Sequence, residues 1–581
     1  MTRRALTLAA LALAMMMADL DSESVGARSA LGAGYDRPAK NPSQSRSVVV
    51  ATHGIVAASQ PLAAEVGLDI LKRGGNAADA AIATNAMLGL VEPMSCGIGG
   101  DLFVIYWDNK TQKLYGLNAS GRSPYKLNRD VFKKKGLSDI PGQGLLCWSV
   151  PGCVAGWEDL RSRFGSKPLA EILEPAIGYA EDGFAVTEII AAGWRASTPV
   201  LARWPDTAAT YLPGGRAPGE GEVFRNPRLA ASYRAIAKDG PAAFYKGAIA
   251  QKIVSFSDSH EGYFSLKDLA DHHSDWVDPV STNYRGYDVW ELPPNGQGIA
   301  ALQMLNLFEP HDVRKMGRGS ADWFHLFVEA KKLAFADRAK FYADPAFGRL
   351  PTNELVSKPY AAERGKLIDM AHAATDVHPG NPKLEHGDTI YLTVVDKDRN
   401  CCSFIQSNFG GFGSFVVPGD VGFVIQNRGA LFALDDTHLN RLEPHKRPFH
   451  TIIPAMVTKD NKPWLCFGVM GGDMQAQGHV QILVDLIDFD MNLQEAGDEA
   501  RVRHDGSATP EGQSAEPRGG KVVVEPSVGQ DVVEALKKRG HQVSHGRGSG
   551  FGGYQAILID WKNGVLRGAS EPRKDGCAAG Y

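Results

Sequence analysis

The chain has 581 residues, 44% of them hydrophobic and 22% charged, with a formal net charge of −4. Those proportions are ordinary for a soluble globular protein, and neither the net charge nor any Lys/Arg block offers a surface for nucleic acid. The length allows one large layered domain, and 64 glycines predict many turns and close backbone approaches.

The N-terminus reads as a secretory signal. Arg3 and Arg4 precede an apolar run, Ala5 to Ala18, that is too short to span a bilayer. Val25-Gly26-Ala27 suits cleavage, which makes residues 1–27 a signal peptide and the expected location periplasmic or secreted, free of the membrane after removal. An uncleaved or lipid-anchored tether is the alternative. Residues 19–47 are Ser/Gly/Ala/Arg-rich, so 28–47 reads as a linker.

Apolar residues from Leu62 to Leu71 recur at helical spacing, and Gly74-Gly75 ends that helix. Asn76 can cap the next helix with Asp79 in its first turn, and Pro93 closes it. Further helices are predicted over Ala321–Tyr342, around Val480–Ile487 and over Gln530–Arg539. Between them, "DLFVIYWDNKTQKLYGLNAS", "TIYLTVVDKDRNCCSFIQS", "PAMVTKDNKPWLCFGVMGG" and "YQAILIDWKNGVLRGASEP" share one form, strand, polar turn, strand. Short turns imply antiparallel sheets, and the long helices must cover them. The predicted fold class is α+β, a four-layer αββα sandwich, with two separate α+β domains as the alternative.

Seven cysteines, an odd number, leave at least one thiol unpaired, and most sit in apolar runs that predict buried free thiols. Cys401 and Cys402 are adjacent and should face opposite sides of a strand. No cysteine pair has zinc-ligand spacing, no H-E-x-x-H occurs and the sixteen histidines are not clustered, so no metal and no cofactor is expected. There is no G-x-S-x-G. A G-x-G-x-x-G at Gly548, Gly550 and Gly553 is followed by the strand "YQAILID", so it offers no helix N-terminus to a pyrophosphate and reads as a glycine loop.

Thr389 heads a strand directly after the turn-like His386-Gly387-Asp388. A threonine hydroxyl is a poor nucleophile without a base beside it. Cutting the chain at Asp388-Thr389 would supply one, the new α-amine of Thr389, with a reference pKa of about 7.7–8.0. On pattern alone, an ordinary strand-start threonine is the plainer reading.

A wider set of blocks bears on that choice. "GDTIYLTVVDKDRN" resembles the nucleophile segment of the γ-glutamyltransferase (glutathione hydrolase) family, within the N-terminal-nucleophile hydrolases. "AAEVGLDILKRGGNAADAAIATNAMLGLVEPMSCGIGGD" is similar to that family's opening block, "KKLAFADRAKFYADP" to its central helix, and "GVMGGD" and "EPRKDGCAAGY" also fit. The resemblance covers roughly residues 48 to 581. It implies that Thr389 is both the self-cleavage and the catalytic nucleophile. It implies a large subunit 48–388 and a small subunit 389–581 that remain together as a heterodimer. It implies that Ser407 supports the amine and that Gly471 and Gly472 form the oxyanion hole. Glycines there let two N–H groups approach a tetrahedral oxyanion.

The acyl pocket departs from the family pattern. The carboxylate-binding arginine of the family falls at Ser120, with Arg122 two residues on and able to point to the same side of a strand. The family's amine-binding asparagine falls at Phe409, its acidic partner at Leu431, and its serine pair at His450 and Thr451. Arg428 stands where a polar uncharged residue is more common, and the segment between Asp435 and Pro448 is short where many members carry a lid loop. Arg122, Arg428 and His450 are the bases able to rebuild an anion site. The expected partners are a small-molecule amide and water or an amine acceptor. The first reading is hydrolysis or transfer of γ-glutamyl amides such as glutathione. The alternative is a non-glutamyl amidase, an acylase or an oxamate-type amidohydrolase, and a processed but non-catalytic binding protein is the distant one.

Overall fold

A computed structural model of the chain describes residues 44–379 and 388–581. The expected signal peptide and most of the linker lie outside the described residues, as do His386 and Gly387. Two seven-stranded sheets form the centre. In order across the first sheet run Val49–Ala51, Val565–Ser570, Gly553–Asp560, Lys462–Met470, Ala455–Lys459, Tyr287–Glu291 and Val280–Tyr284. In order across the second run Cys577–Gly580, Ile55–Ala58, Asp388–Val395, Cys401–Phe409, Asp101–Asp108, Lys113–Ala119 and Asp275–Val277. Neighbours in both sheets are antiparallel. The hairpins expected from the polar turns are all present.

The layering follows from which face each side chain takes. Ile55, Ala57, Tyr391, Cys401 and Ile405 pack with Met456, Cys466 and Ile557 into an apolar layer between the sheets. Their neighbours Val56, Ala58, Leu392, Cys402 and Phe404 point outward and join residues of the helices Pro61–Lys72 and Ala77–Val91. On the far side, Val457, Leu465, Phe467 and Val469 meet the helices Gly298–Phe308, Ala321–Phe341 and Met474–Ile487. Strand alternation thus yields helix, sheet, sheet, helix, the expected αββα sandwich. Cys401 and Cys402 fall in different layers as their adjacency requires, and all seven cysteines are free, six of them buried.

Local chemistry sets the elements. Asn76 accepts from the N–H groups of Ala78 and Asp79 while Asp79 accepts from Asn76 N–H, a closed capping box. Every residue of Ala77–Val91 is buried, so the helix carries no polar stripe, and its caps rather than its periodicity mark it in the sequence. Between the sheets, a Cβ on Gly468 would lie 2.5 Å from the Tyr391 ring, so only glycine lets the two central strands approach.

Candidate active site

The two sheets bring their central strands together in a regular step. Thr393 Oγ1 donates to Cys466 Sγ at 2.9 Å, and the Tyr391 ring lies over Gly468. Each step of two along one strand moves two back along the other. The strand Lys462–Met470 then ends, directly before Gly471 and Gly472. Both glycines have positive φ, +123° and +55°, and lead into the helix Met474–Ile487. L side chains rarely adopt those angles, so the two amides owe their orientation to the absence of a Cβ.

The pairing of Asp388–Val395 with Cys401–Phe409 is irregular at its head. Asp388 pairs with Phe409 and Ile390 with Gln406, so the single residue 389 opposes both Ser407 and Asn408, a β-bulge whose extra residue lies on Cys401–Phe409. Phe409 ends the partner strand at φ +78°, a strained angle for a bulky residue, and its N–H donates to Ser407 Oγ at 2.8 Å. On its other side Ser407 pairs with Asp101. Ser407 is fully buried.

Beneath the glycine pair lies a buried polar scaffold. Gln297 Nε2 donates to Thr451 O at 2.6 Å and to Gly472 O at 2.9 Å. Arg338, wholly buried in the helix Ala321–Phe341, donates to Gln297 Oε1 and holds Asp473 at 2.8 and 3.2 Å. A helix of the outer layer is thereby tied to the residue that follows the glycines. Sequence reading missed Gln297, Arg338 and Asp473. Arg338 and Asp473 stand inside quoted blocks, yet they are 135 residues apart, and no spacing rule pairs them.

The pocket residues divide into two groups. Arg428, Thr451, His450, Phe409 and Leu431 come together. The Arg428 guanidinium lies 4.6 Å above the Phe409 ring and donates from Nη1 to Thr451 Oγ1 at 2.8 Å. Its Nε and Nη2 are buried and have no hydrogen-bond partner among the described residues. Burial pulls this group down to about 9, partly offset by Asp101, so it stays charged at neutral pH. His450 Nε2 donates to Asp101 Oδ2 at 2.8 Å, which fixes its neutral tautomer and leaves the lone pair on Nδ1 unpartnered. Burial, with Arg428 beside it, pushes His450 down to about 4. The Asp101 carboxylate, which sequence reading also missed, accepts in addition from Gly121 N–H and Gln426 Nε2, both at 2.9 Å, and from Gly152 N–H at 3.2 Å. Leu431 closes the short turn Arg428–Leu431 and is buried.

Ser120 adjoins this group through Asn295, whose Nδ2 donates to Ser120 Oγ at 3.2 Å and whose carbonyl accepts from His450 N–H at 2.8 Å, while Arg122 is held by other partners. Ser120 Oγ donates to Asn118 Oδ1 at 2.6 Å. Arg122 reaches His273 O at 3.4 Å and Asp275 at 3.6 Å. Arg447 shares those partners, donating to Ser120 O at 2.9 Å and His273 O at 3.1 Å and pairing with Asp275. Arg122 is thus engaged at the sheet edge, while Arg428 is held inside. Among the described residues, His325, Glu329 and His541 come close enough to hold a cation, but their atoms already pair. His325 Nδ1 meets His541 Nε2 at 2.7 Å and Glu329 accepts from Lys332 at 2.8 Å.

Two antiparallel sheets stacked between helical layers, with a bulged pairing at the head of Asp388–Val395 and a positive-φ glycine pair ending a strand of the facing sheet, define a fold of the N-terminal-nucleophile hydrolase type. The sequence profile described as Gamma-glutamyltranspeptidase matches residues 63–581, and the chain belongs to that family. It is similar to the glutathione hydrolase-like YwrD proenzyme of Bacillus subtilis (strain 168), 38% identical over 92% of this chain and 99% of that protein. It is 35% identical to the acylase ACY 1 proenzyme of Pseudomonas sp. (strain SE83), over 90% of this chain and 93% of that one. Among solved structures, cephalosporin acylase from Bacillus halodurans aligns with a TM-score of 0.86 and 42% identity, over 94% of this chain and 98% of that one. The chain is therefore a hydrolase of this family. No helix among the described residues is long and apolar enough to cross a membrane.

Proposed function

We propose that this chain splits itself between Asp388 and Thr389 and then acts as an N-terminal-threonine amidohydrolase and acyltransferase. In the first step the Thr389 hydroxyl attacks the Asp388 carbonyl, the amide becomes an ester, and water releases Asp388 and a free α-amine. That amine then takes the hydroxyl proton as Thr389 Oγ attacks a substrate amide. The tetrahedral oxyanion is stabilised by N–H groups at Gly471 and Gly472. The leaving amine departs with the proton, and water or an acceptor amine resolves the acyl-enzyme. The observation that carries this reading is the stepped contact of the two central strands, Thr393 with Cys466 and Tyr391 with Gly468, which runs toward residue 389 and the glycine pair.

Subunits 48–388 and 389–581 would stay associated after scission. The strand Cys401–Phe409 is hydrogen-bonded to Asp101–Asp108, and Asp388–Val395 to Ile55–Ala58. The signal-like residues 1–27 support export to the periplasm or medium.

For the acyl group, γ-glutamyl amides such as glutathione are the first reading, supported by family membership. A non-glutamyl amide, of acylase or oxamate type, is favoured by a specific observation: Phe409 and Leu431 are apolar and Arg122 is engaged by His273 and Asp275. Purified protein should run as two fragments and Thr389→Ala as one band. If Thr389→Ala still splits after residue 388, self-cleavage by that hydroxyl is wrong. A γ-glutamyl anilide assayed beside simple acyl anilides separates the two substrate readings, since turnover of the latter alone eliminates the first.

A further inference from the structure

Lys331, on the helix Ala321–Phe341, is buried and forms no ion pair among the described residues. The carboxylates near it are taken: Asp473 is held by Arg338, and Asp505 pairs with Arg503 at 2.9 Å. A buried ammonium without a counter-charge is costly, so burial favours the neutral amine. Burial draws Lys331 down to about 7, with Asp473 and Asp505 raising it and Arg338 and Lys332 lowering it. Its Nζ lies 2.8 Å from Ser507 Oγ and 3.2 Å from His504 Nδ1. His504 Nε2 stands 2.7 Å from Gly519 O, an acceptor only, so Nε2 carries the imidazole proton and Nδ1 presents a lone pair to Lys331. Burial and the lysines beside it keep His504 neutral. The Phe335 ring lies 4.0 Å from Nζ on another side. A neutral amine there directs one N–H at His504 and one at the ring, which leaves its lone pair for the Ser507 hydroxyl. Ser507 follows the strand Val502–Asp505 by two residues and is only half-buried, so the base is enclosed while the residue with the hydroxyl reaches solvent.

We propose that Ser507, Lys331 and His504 form a second nucleophilic site, separate from Thr389, that takes short uncharged carboxylic esters. Hydroxyl, base and orienting group stand in hydrogen-bond order, the arrangement by which hydroxyls are activated on unrelated folds. In the first step Ser507 Oγ bonds to the ester carbonyl carbon and the hydroxyl proton passes to Lys331 Nζ. The bond to the leaving alcohol then breaks, and Lys331 returns the proton to that oxygen. Water next attacks the acyl-serine, its proton moves through Lys331 to Ser507 Oγ, and the carboxylic acid leaves. An acyl group with its own carboxylate would hold Lys331 protonated and remove the base, while a cationic one would oppose the proton transfer. The site makes no use of the Asp388–Thr389 bond, so it is present in the unsplit chain.

The test uses the full chain as Thr389→Ala, in which Thr389 contributes nothing, with p-nitrophenyl butyrate. Peptide mass spectrometry should find the butyryl group on Ser507, and p-nitrophenol should be released. Ser507→Ala should remove the label, and Lys331→Met should slow labelling by about 10²-fold, the size of a general-base contribution. The rate should rise through about pH 7 and level off above pH 8, where Lys331 is neutral. The groups that face it and share that titration are His504, Asp473, Asp505, Arg338 and Lys332. Mono-p-nitrophenyl succinate, which adds a carboxylate to the same chain length, should label more slowly. In the chain that keeps Thr389, Ser507→Ala should leave amide turnover unchanged. No label, a label on Lys331 or elsewhere in place of Ser507, or equal labelling of a folded Lys331→Met overturns the proposal. Should Lys331→Met fail to fold, the pH profile decides: a plateau supports the base, and a rate that keeps climbing tenfold per pH unit with hydroxide refutes it. Succinate faster than butyrate overturns the preference for uncharged esters, and a loss of amide turnover in Ser507→Ala overturns the separation from Thr389.

Discussion

His450 makes a prediction whose size follows from its surroundings. It is fully buried, its Nε2 donates to Asp101 at 2.8 Å, and the Arg428 cation lies beside it. Burial and that cation hold it at about 4 in the folded chain, against an ordinary value of about 6.5. At pH 8 the imidazole is neutral folded or unfolded and contributes nothing to the balance. Between pH 6.5 and 4 the unfolded chain takes up a proton that the folded chain refuses, so stability falls as pH falls. From those two values the loss is about 2 kcal/mol by pH 5 and about 3 kcal/mol once pH passes below 4. Other buried histidines push the same way, so the measurement is a difference between two proteins. A His450→Gln variant keeps an N–H donor for Asp101 and does not titrate at this position. In a Thr389→Ala background, which the proposed scission leaves as one chain, urea unfolding would be followed by tryptophan fluorescence at pH 8 and pH 5. The gap between the two proteins should shift by about 2 kcal/mol in the variant's favour at the lower pH. Parallel loss of stability in both would mean that His450 titrates normally, and the buried His450–Asp101–Arg428 arrangement would be refuted.

Asp473→Asn removes the counter-charge of a buried guanidinium while preserving shape. Amide turnover should slow by about 10- to 100-fold, because the proposed oxyanion donors are anchored by this pair; steady-state rates check this, and an unchanged rate would detach Arg338 and Asp473 from the glycines. Fragments 48–388 and 389–581 expressed separately should recover far less heterodimer on mixing than the single chain yields, since each sheet draws strands from both. Efficient reassembly, read by size-exclusion chromatography, would show that the fragments fold independently.

What was legible in the sequence is what short-range chemistry writes there. The four hairpins announce themselves by polar turns between apolar runs, and the helix Ala77–Val91 by its Asn76–Asp79 capping box. Alternation along "CCSFIQS" was enough to send Cys401 and Cys402 to different layers. The buried polar scaffold left no such mark. Lys331, Asp337 and Arg338 sit in a helix whose sequence reads like an exposed charged face, yet all three are buried. Only the tertiary fold supplies the partners that make burial tolerable, and Asp101 with His450 are 349 residues apart. The same limit governed the pocket. Arg122 and Arg428 look alike in sequence, two arginines near positions that bind an anion elsewhere in the family. One is met by a carboxylate and a carbonyl at a sheet edge, the other is enclosed with two donors unmet.

The same distribution of residues explains why the proposed scission would have to follow folding. The residues that make the site alternate between the two prospective subunits: Asp101, Gln297 and Arg338 from the first, Ser407, Arg428, His450 and Gly472 from the second. In the second sheet, Ile55–Ala58 and Asp101–Asp108 flank the hairpin formed by Asp388–Val395 and Cys401–Phe409. The head of Asp388–Val395 therefore lies in a sheet whose strands come from both prospective subunits. A covalent chain guarantees their registry, since closing a loop within one chain is far cheaper than docking two separate ones. After the proposed cut, the hydrogen-bonded ladders to Ile55–Ala58 and Asp101–Asp108 would keep that registry.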